Sequence, residues 1–251
     1  MFARTLFVSF VAACLAFPAA RGQTASAAPE SHMAPTARYL MPRDSEIAFA
    51  RTAAPAAVSG DAKILVLTAH GYETAVAGTN GFVCLVTRSW DLDAARPSAT
   101  FWDPKIRVAQ CYNAPGAQTT IPVYLMKTDW ALAGVSEAEI GEREKAAWAD
   151  GTLKEGAAPG AMGYMMSNRS WGVGASPGPW RPHLMFYYPT GQAPNWGANL
   201  DGSPVASSPT SGSAETTVYF VVVPAWSDGS PAPALPPTPA RAKSSAGGQQ
   251  H

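Results

Sequence analysis

Residues 63–88 read KILVLTAHGYETAVAGTNGFVCLVTR, and their reading decides the fold class. Lys63 to Thr68 is a short β-branched and aliphatic run. It is bounded by Ser59-Gly60-Asp61 before it and His70-Gly71 after it, as a buried strand would be. Tyr72–Ala77 and Phe82–Arg88 read as two more strands. Asn80-Gly81 lies between them, and both residues tolerate positive φ, so a hairpin joining the second and third strands is expected. Phe82, Cys84 and Val86 alternate with Val83, Leu85 and Thr87. Both faces are mostly apolar, which predicts a central strand.

Working outward, Ile106–Tyr112, Ala161–Ser167, His183–Tyr188 and Thr216–Val223 are further strands, the last with the highest β-propensity in the chain. Two helices accompany them. One starts at Pro42, runs through Glu46, Ile47 and Phe49, and stops at Pro55. The other opens on the capping box Ser136-Glu137-Ala138-Glu139 and stops at Gly151. The expected class is α+β: one domain with a largely antiparallel sheet, flanked by one or two helices on one face.

The N-terminus carries an address. Arg4 precedes an apolar run, Leu6–Phe17, broken only by Ser9, and small residues follow at Pro18, Ala19 and Ala20 and again at Ala25–Ala27. This is the order of a secretory signal peptide, assigned to residues 1–22, with cleavage after Ala20 or Ala27. The run is too short for a membrane span, which needs about 20 residues. Val11-Ala12-Ala13-Cys14 has the look of a lipobox, but Leu15, Ala16 and Phe17 prolong the apolar run beyond it, which disfavours lipidation. The expected compartment is periplasmic or extracellular. Residues 23–39 are expected as a flexible linker, 40–226 as the globular domain, and the Pro/Ser/Gly-rich 227–251 as a disordered tail. Removal of the leader leaves Cys84 and Cys111. An even count in an oxidising compartment favours a disulfide, stabilising by about 3.5 kcal/mol for this loop length.

Eighteen Lys and Arg balance eighteen Asp and Glu, so no basic field exists to hold nucleic-acid phosphates. Hydrophobic residues at 47% exclude a wholly disordered chain. Gly174-Ala175-Ser176-Pro177-Gly178 fits the G-x-S-x-G serine-hydrolase pattern, but Pro177 has no N–H for an oxyanion hole, which rules Ser176 out as nucleophile. Cys84, mid-strand among apolar residues, is not placed to act as one either.

Two chemistries remain. His70, Glu73 and His183 stand at strand ends. If these ends converge, they would hold zinc or a related metal, or pair with Asp91 or Asp103 for acid–base work in a hydrolase. Separately, the stretch 162–196 is rich in aromatic and Met residues. Met165, Met185 and Phe186 read as core, whereas Trp171, Trp180 and Trp196 fall in connecting loops, where they can form a stacking surface. Arg181 and Arg88 are candidate anion anchors, with internal salt bridges as the alternative. Titratable groups are sparse, so a non-catalytic module for a small-molecule, sugar or peptide ligand is preferred over the metal enzyme. The sequence does not identify a cofactor.

Overall fold

The structure, a computed structural model, describes residues 32–91, 100–154, 158–170, 181–209 and 216–233. The leader with Cys14, the Gly174–Gly178 motif, Trp171 and Trp180 lie outside the described residues.

The expected strands assemble into one mostly antiparallel sheet of an α+β domain, but not by the expected hairpin. β1 (Lys63–Thr68) turns through Ala69-His70 directly into β2 (Gly71–Val76), with Thr68 opposite Gly71. The Thr68 hydroxyl fixes this two-residue turn by donating to the Gly71 carbonyl (2.9 Å) and accepting from the His70 N–H (3.1 Å). β3 (Val83–Thr87) pairs with the other side of β1, in parallel, so β2 and β3 are not neighbours. Asn80-Gly81 therefore belongs to a connection that crosses the start of β1. Gly78 makes this crossing: its φ is +67°, and a Cβ there would stand 2.1 Å from the Lys63 nitrogen. Phe82 then accepts from the Lys63 N–H at 2.8 Å, and β1 gains its second partner.

β4 (Val108–Tyr112), β5 (Met162–Met165), β6 (His183–Pro189), β7 (Val205–Pro209) and β8 (Thr216–Val222) complete the order β2-β1-β3-β4-β5-β6-β8-β7. Cys84 and Cys111 face each other across β3 and β4 and form a fully buried disulfide, as the even cysteine count suggested.

Helices cover both faces rather than one. On the first face α1 (Arg43–Arg51) lays Phe49 and Ala50 over Ile64, Val66, Cys84, Val86 and Ala109. On the second, α3 (Ala114–Thr119) and α4 (Ile121–Leu132) pack Ile121 and Tyr124 over Leu65, Leu85, Tyr112, Met185 and Tyr187. The remaining short helix, α2 (Ala56–Ser59), only bridges α1 to β1. Outside α4 lies α5 (Glu137–Ala149), the capping-box helix. Ser136 accepts from the Glu139 N–H at 3.3 Å, but the Glu139 carboxylate pairs with Arg143 at 2.6 Å instead of returning the bond. Gly151, at φ +77°, follows its end.

The folded body is longer than expected at both ends. Tyr39, assigned to the linker, is fully buried with Trp90 and Trp102, and its hydroxyl donates to the Trp102 carbonyl at 2.7 Å. Ser227, assigned to the tail, donates its hydroxyl to the Thr52 carbonyl and its N–H to Met166, and Ala225 bridges to Pro231. Each segment satisfies backbone groups of the domain, which a composition-based reading cannot register.

Candidate functional site

The two histidines lie far apart. His70 is exposed in the β1–β2 turn near one sheet edge, with Glu73 joined to Thr68 at 3.1 Å. His183 begins β6, four strand positions away from β1, which is roughly 19 Å of sheet width. The strand ends that had to converge thus belong to separate parts of the sheet. His70, Glu73 and His183 share no site, and among the described residues no group of three or more His, Cys, Asp and Glu is placed to hold a metal. The His183 ring donates its Nδ1–H to the Arg181 carbonyl (2.8 Å) and packs edge-on against Phe220. Burial pushes its imidazole below the usual histidine range, and the bond to Arg181 opposes that only in part. It is a neutral packing residue at pH 7. Asp103 accepts from the Lys105 N–H in a local turn, remote in role from either histidine.

The perturbed acid of the domain is Asp91, buried in the 3-10 turn Ser89–Asp91. Its carboxylate accepts from the Arg88 N–H (2.9 Å), the Tyr72 hydroxyl (3.3 Å) and the Thr128 hydroxyl (3.3 Å). Desolvation lifts its pKa to about 7, against the pull of the Arg88 N–H bond and of Lys127. Charge counting explains why so little compensates it. Arg88, fully buried, is committed to Glu46 (2.8 Å), to the Tyr39 carbonyl (2.9 Å) and to the Val86 carbonyl. Lys127 is committed to Glu144 at 3.2 Å. Two buried cations thus serve three buried carboxylates, and Asp91 is the one left over. Arg88 is accordingly an internal salt-bridge residue, not an anion anchor. All of these groups are buried inside the body.

Chemistry that faces solvent is found at the opposite end of the sheet. α1 is about 13 Å long and spans β1, β3 and β4. Eight strands extend about 34 Å, so on that face β6, β8 and β7 lie beyond α1. Register puts Phe186 and Tyr188 of β6 on this face with Tyr219 of β8. The loop between β6 and β7 folds over them and lays Trp196 against all three. Its ring centroid is 5.2 Å from Phe186 and 5.8 Å from Tyr188, both edge-on, and 5.0 Å from Tyr219 at an interplanar angle of 33°. Even so, Trp196 keeps 38% of its surface in solvent, and the adjacent Leu200 keeps 67%.

The loop is clamped. Asn199, at φ +61°, takes the Ser207 N–H on its Oδ1 (3.0 Å) and donates its Nδ2 to the Ser207 carbonyl (3.2 Å) and hydroxyl (2.9 Å). Its own N–H donates to Val205 (3.0 Å). The Asn side chain therefore occupies the outer edge of β7 as another strand would. Tyr219 ties the same loop from below, its hydroxyl donating to the Pro194 carbonyl at 2.5 Å.

Of the expected binding residues, Trp196 is in this platform. Arg181 is not: it lies at the other end of β6 and donates to the Pro233 carbonyl at 3.1 Å. Phe186, expected as core, is instead part of the platform, as are Tyr188, Tyr219 and Asn199, which the sequence reading did not single out as ligand residues. The signal was there in the alternation of His183–Tyr188: its even positions, Leu184, Phe186 and Tyr188, form one face, and two of the three are aromatic.

No known protein family, no curated protein and no solved structure matches this chain.

Proposed function

We propose that this chain is an exported, non-catalytic binding module whose ligand surface is the aromatic platform centred on Trp196. The carrying observation is that Trp196 is packed against three aromatic rings, held by a clamped loop, and still more than a third exposed. Such a ring is pre-organised, so stacking a flat ligand face on it costs little side-chain entropy. The separation of His70 and Glu73 from His183 weighs against the metal-enzyme alternative. Export is supported by the leader pattern at residues 1–22 and by the buried Cys84–Cys111 disulfide, which suits an oxidising compartment. Among the described residues no helix is long and apolar enough to cross a membrane.

The test is a binding screen of glycans, peptides and planar aromatics, run in parallel on wild type and Trp196→Ala. At least one ligand class is expected to be retained by wild type and lost by the variant. If the variant holds every ligand that wild type holds, the platform is not the binding surface. N-terminal sequencing of the accumulated protein checks export: a start within or just after residues 20–28 is expected, and an intact Met1 in the cytosol contradicts it.

A further inference from the structure

Resting on that reading of the platform, we infer that its ligand is a neutral carbohydrate, with the face of an uncharged pyranose ring laid on Trp196. Three observations converge on this class.

The first is charge. Among the described residues from Phe186 to Val222, which carry the platform, Asp201 is the one charged residue, and it is acidic. These residues offer no Lys, Arg or His to pair with a carboxylate, sulfate or phosphate. Uronic acids, sulfated glycans and nucleic acids are disfavoured on that ground.

The second is the kind of polarity that replaces charge. The loop exposes the amide residues Gln192 and Asn195, close to Trp196 in the chain, while the amide of Asn199 is spent on Ser207. Asn195 uses its Oδ1 on the Gly197 N–H at 3.0 Å, a bond that leaves its NH2 uncommitted to the turn. Amide groups both donate and accept, which is what vicinal hydroxyl groups demand. A pyranose presents a C–H face for the ring and a hydroxyl perimeter for these amides. A purely apolar ligand would leave the amides stripped of water and unpaired.

The third disposes of an extended peptide. A peptide adding to the sheet here would need the outer N–H and carbonyl of β7. Asn199 already holds both at Ser207.

The experiment is isothermal titration of the full mature chain with cellohexaose, laminarihexaose, mannohexaose and N-acetylchitohexaose. Parallel arms use hexagalacturonate and an uncharged apolar hexapeptide. At least one neutral hexasaccharide is expected to bind. Trp196→Ala should weaken that binding about tenfold or more, while Trp196→Tyr, which keeps a ring face, retains it within a few-fold. Near-ultraviolet circular dichroism of both variants confirms that Tyr219 and the loop stay packed. Should only hexagalacturonate or the peptide bind, in a Trp196-dependent way, the assignment to a neutral carbohydrate is wrong and the platform stands. If neutral sugars bind equally well to a folded Trp196→Ala, the platform itself is wrong. Absence of binding in every arm overturns both.

Discussion

Replacing Asp91 by Asn should make the domain more stable at alkaline pH and should flatten its dependence on pH. Asp91 titrates at about 7 in the folded chain, against 3.8 as its ordinary value. Between those limits the folded state keeps a proton that the unfolded chain has released. Stability from this group is therefore complete below pH 4 and falls as pH rises, until it is gone above pH 7. About three units correspond to about 4 kcal/mol over the whole window, of which about 2.5 kcal/mol separates pH 5 from pH 8. Asn copies the protonated form. Its Oδ1 can accept from the Arg88 N–H and its NH2 can face Thr128, so the bonds at 2.9 and 3.3 Å have successors. The charged and titratable groups around the site are Glu46 from α1, Tyr72 from β2, Arg88 at the end of β3 and Lys127 from α4. All remain in the variant. The assay is urea denaturation at pH 5 and pH 8 for both proteins. His183, whose imidazole is depressed below 6.5, contributes a slope of opposite sign, but equally to both, so the difference between proteins isolates Asp91. Wild type should lose about 2.5 kcal/mol more than the variant between the two pH values. Equal losses would refute the claim that Asp91 is the unmatched buried charge.

Other perturbations test other joints. Glu46→Ala strands the Arg88 guanidinium without a counter-ion and should cost about 3–5 kcal/mol in urea denaturation, whereas Glu46→Leu combined with Arg88→Met should recover much of that loss. Removing the Cys84–Cys111 bond in a Cys84→Ala, Cys111→Ala variant should lower stability by about 3.5 kcal/mol, and the native protein should show no thiol reactive to Ellman's reagent at these positions, even when unfolded, until a reductant is added. Gly78→Ala forces both a positive φ and a backbone collision, so the product should be largely unfolded by circular dichroism. His70→Ala should change stability by less than about 0.5 kcal/mol, since the turn is held by Thr68 and by backbone.

The strands were legible because each is a short apolar or alternating run, and β1, β3, β4, β6 and β8 fall within a residue or two of their expected bounds. Their order was harder to read. Asn80-Gly81 is a local cue, but partner choice is a property of the whole sheet. β1 is buried on both faces and needs a neighbour on either side, so β2 takes one edge through the tighter turn at Ala69-His70, and the Asn80 loop carries β3 to the other. α4 escaped the reading because it is sandwiched between the sheet and α5. It carries apolar residues all round, Leu125, Met126, Trp130 and Leu132 as well as Ile121, Val123 and Tyr124, with Asp129 its one exposed residue, leaving no single apolar stripe to detect. β7 carries the strand-poor string Val-Ala-Ser-Ser-Pro and exists as a strand because β8 supplies the ladder.

The same sheet separates two kinds of polar chemistry, and that separation is the argument for a module over an enzyme. In the half clad by helices, ionisable groups are buried and spent on one another: Arg88 on Glu46, Lys127 on Glu144, and Asp91 on hydrogen bonds alone. Tyr112, whose hydroxyl is raised by burial and by its tyrosine neighbours Tyr124 and Tyr187, is likewise enclosed with Gln110. Perturbed groups mark a reactive site only where a substrate can reach them. In the half without helical cover, the reachable surface is aromatic and amide, with Asp201 the one charge among its described residues from Phe186 to Val222. Among the described residues the shifted groups and the open aromatic surface lie at opposite ends of one sheet, which supports the proposed recognition by shape, stacking and neutral hydrogen bonds at the open end.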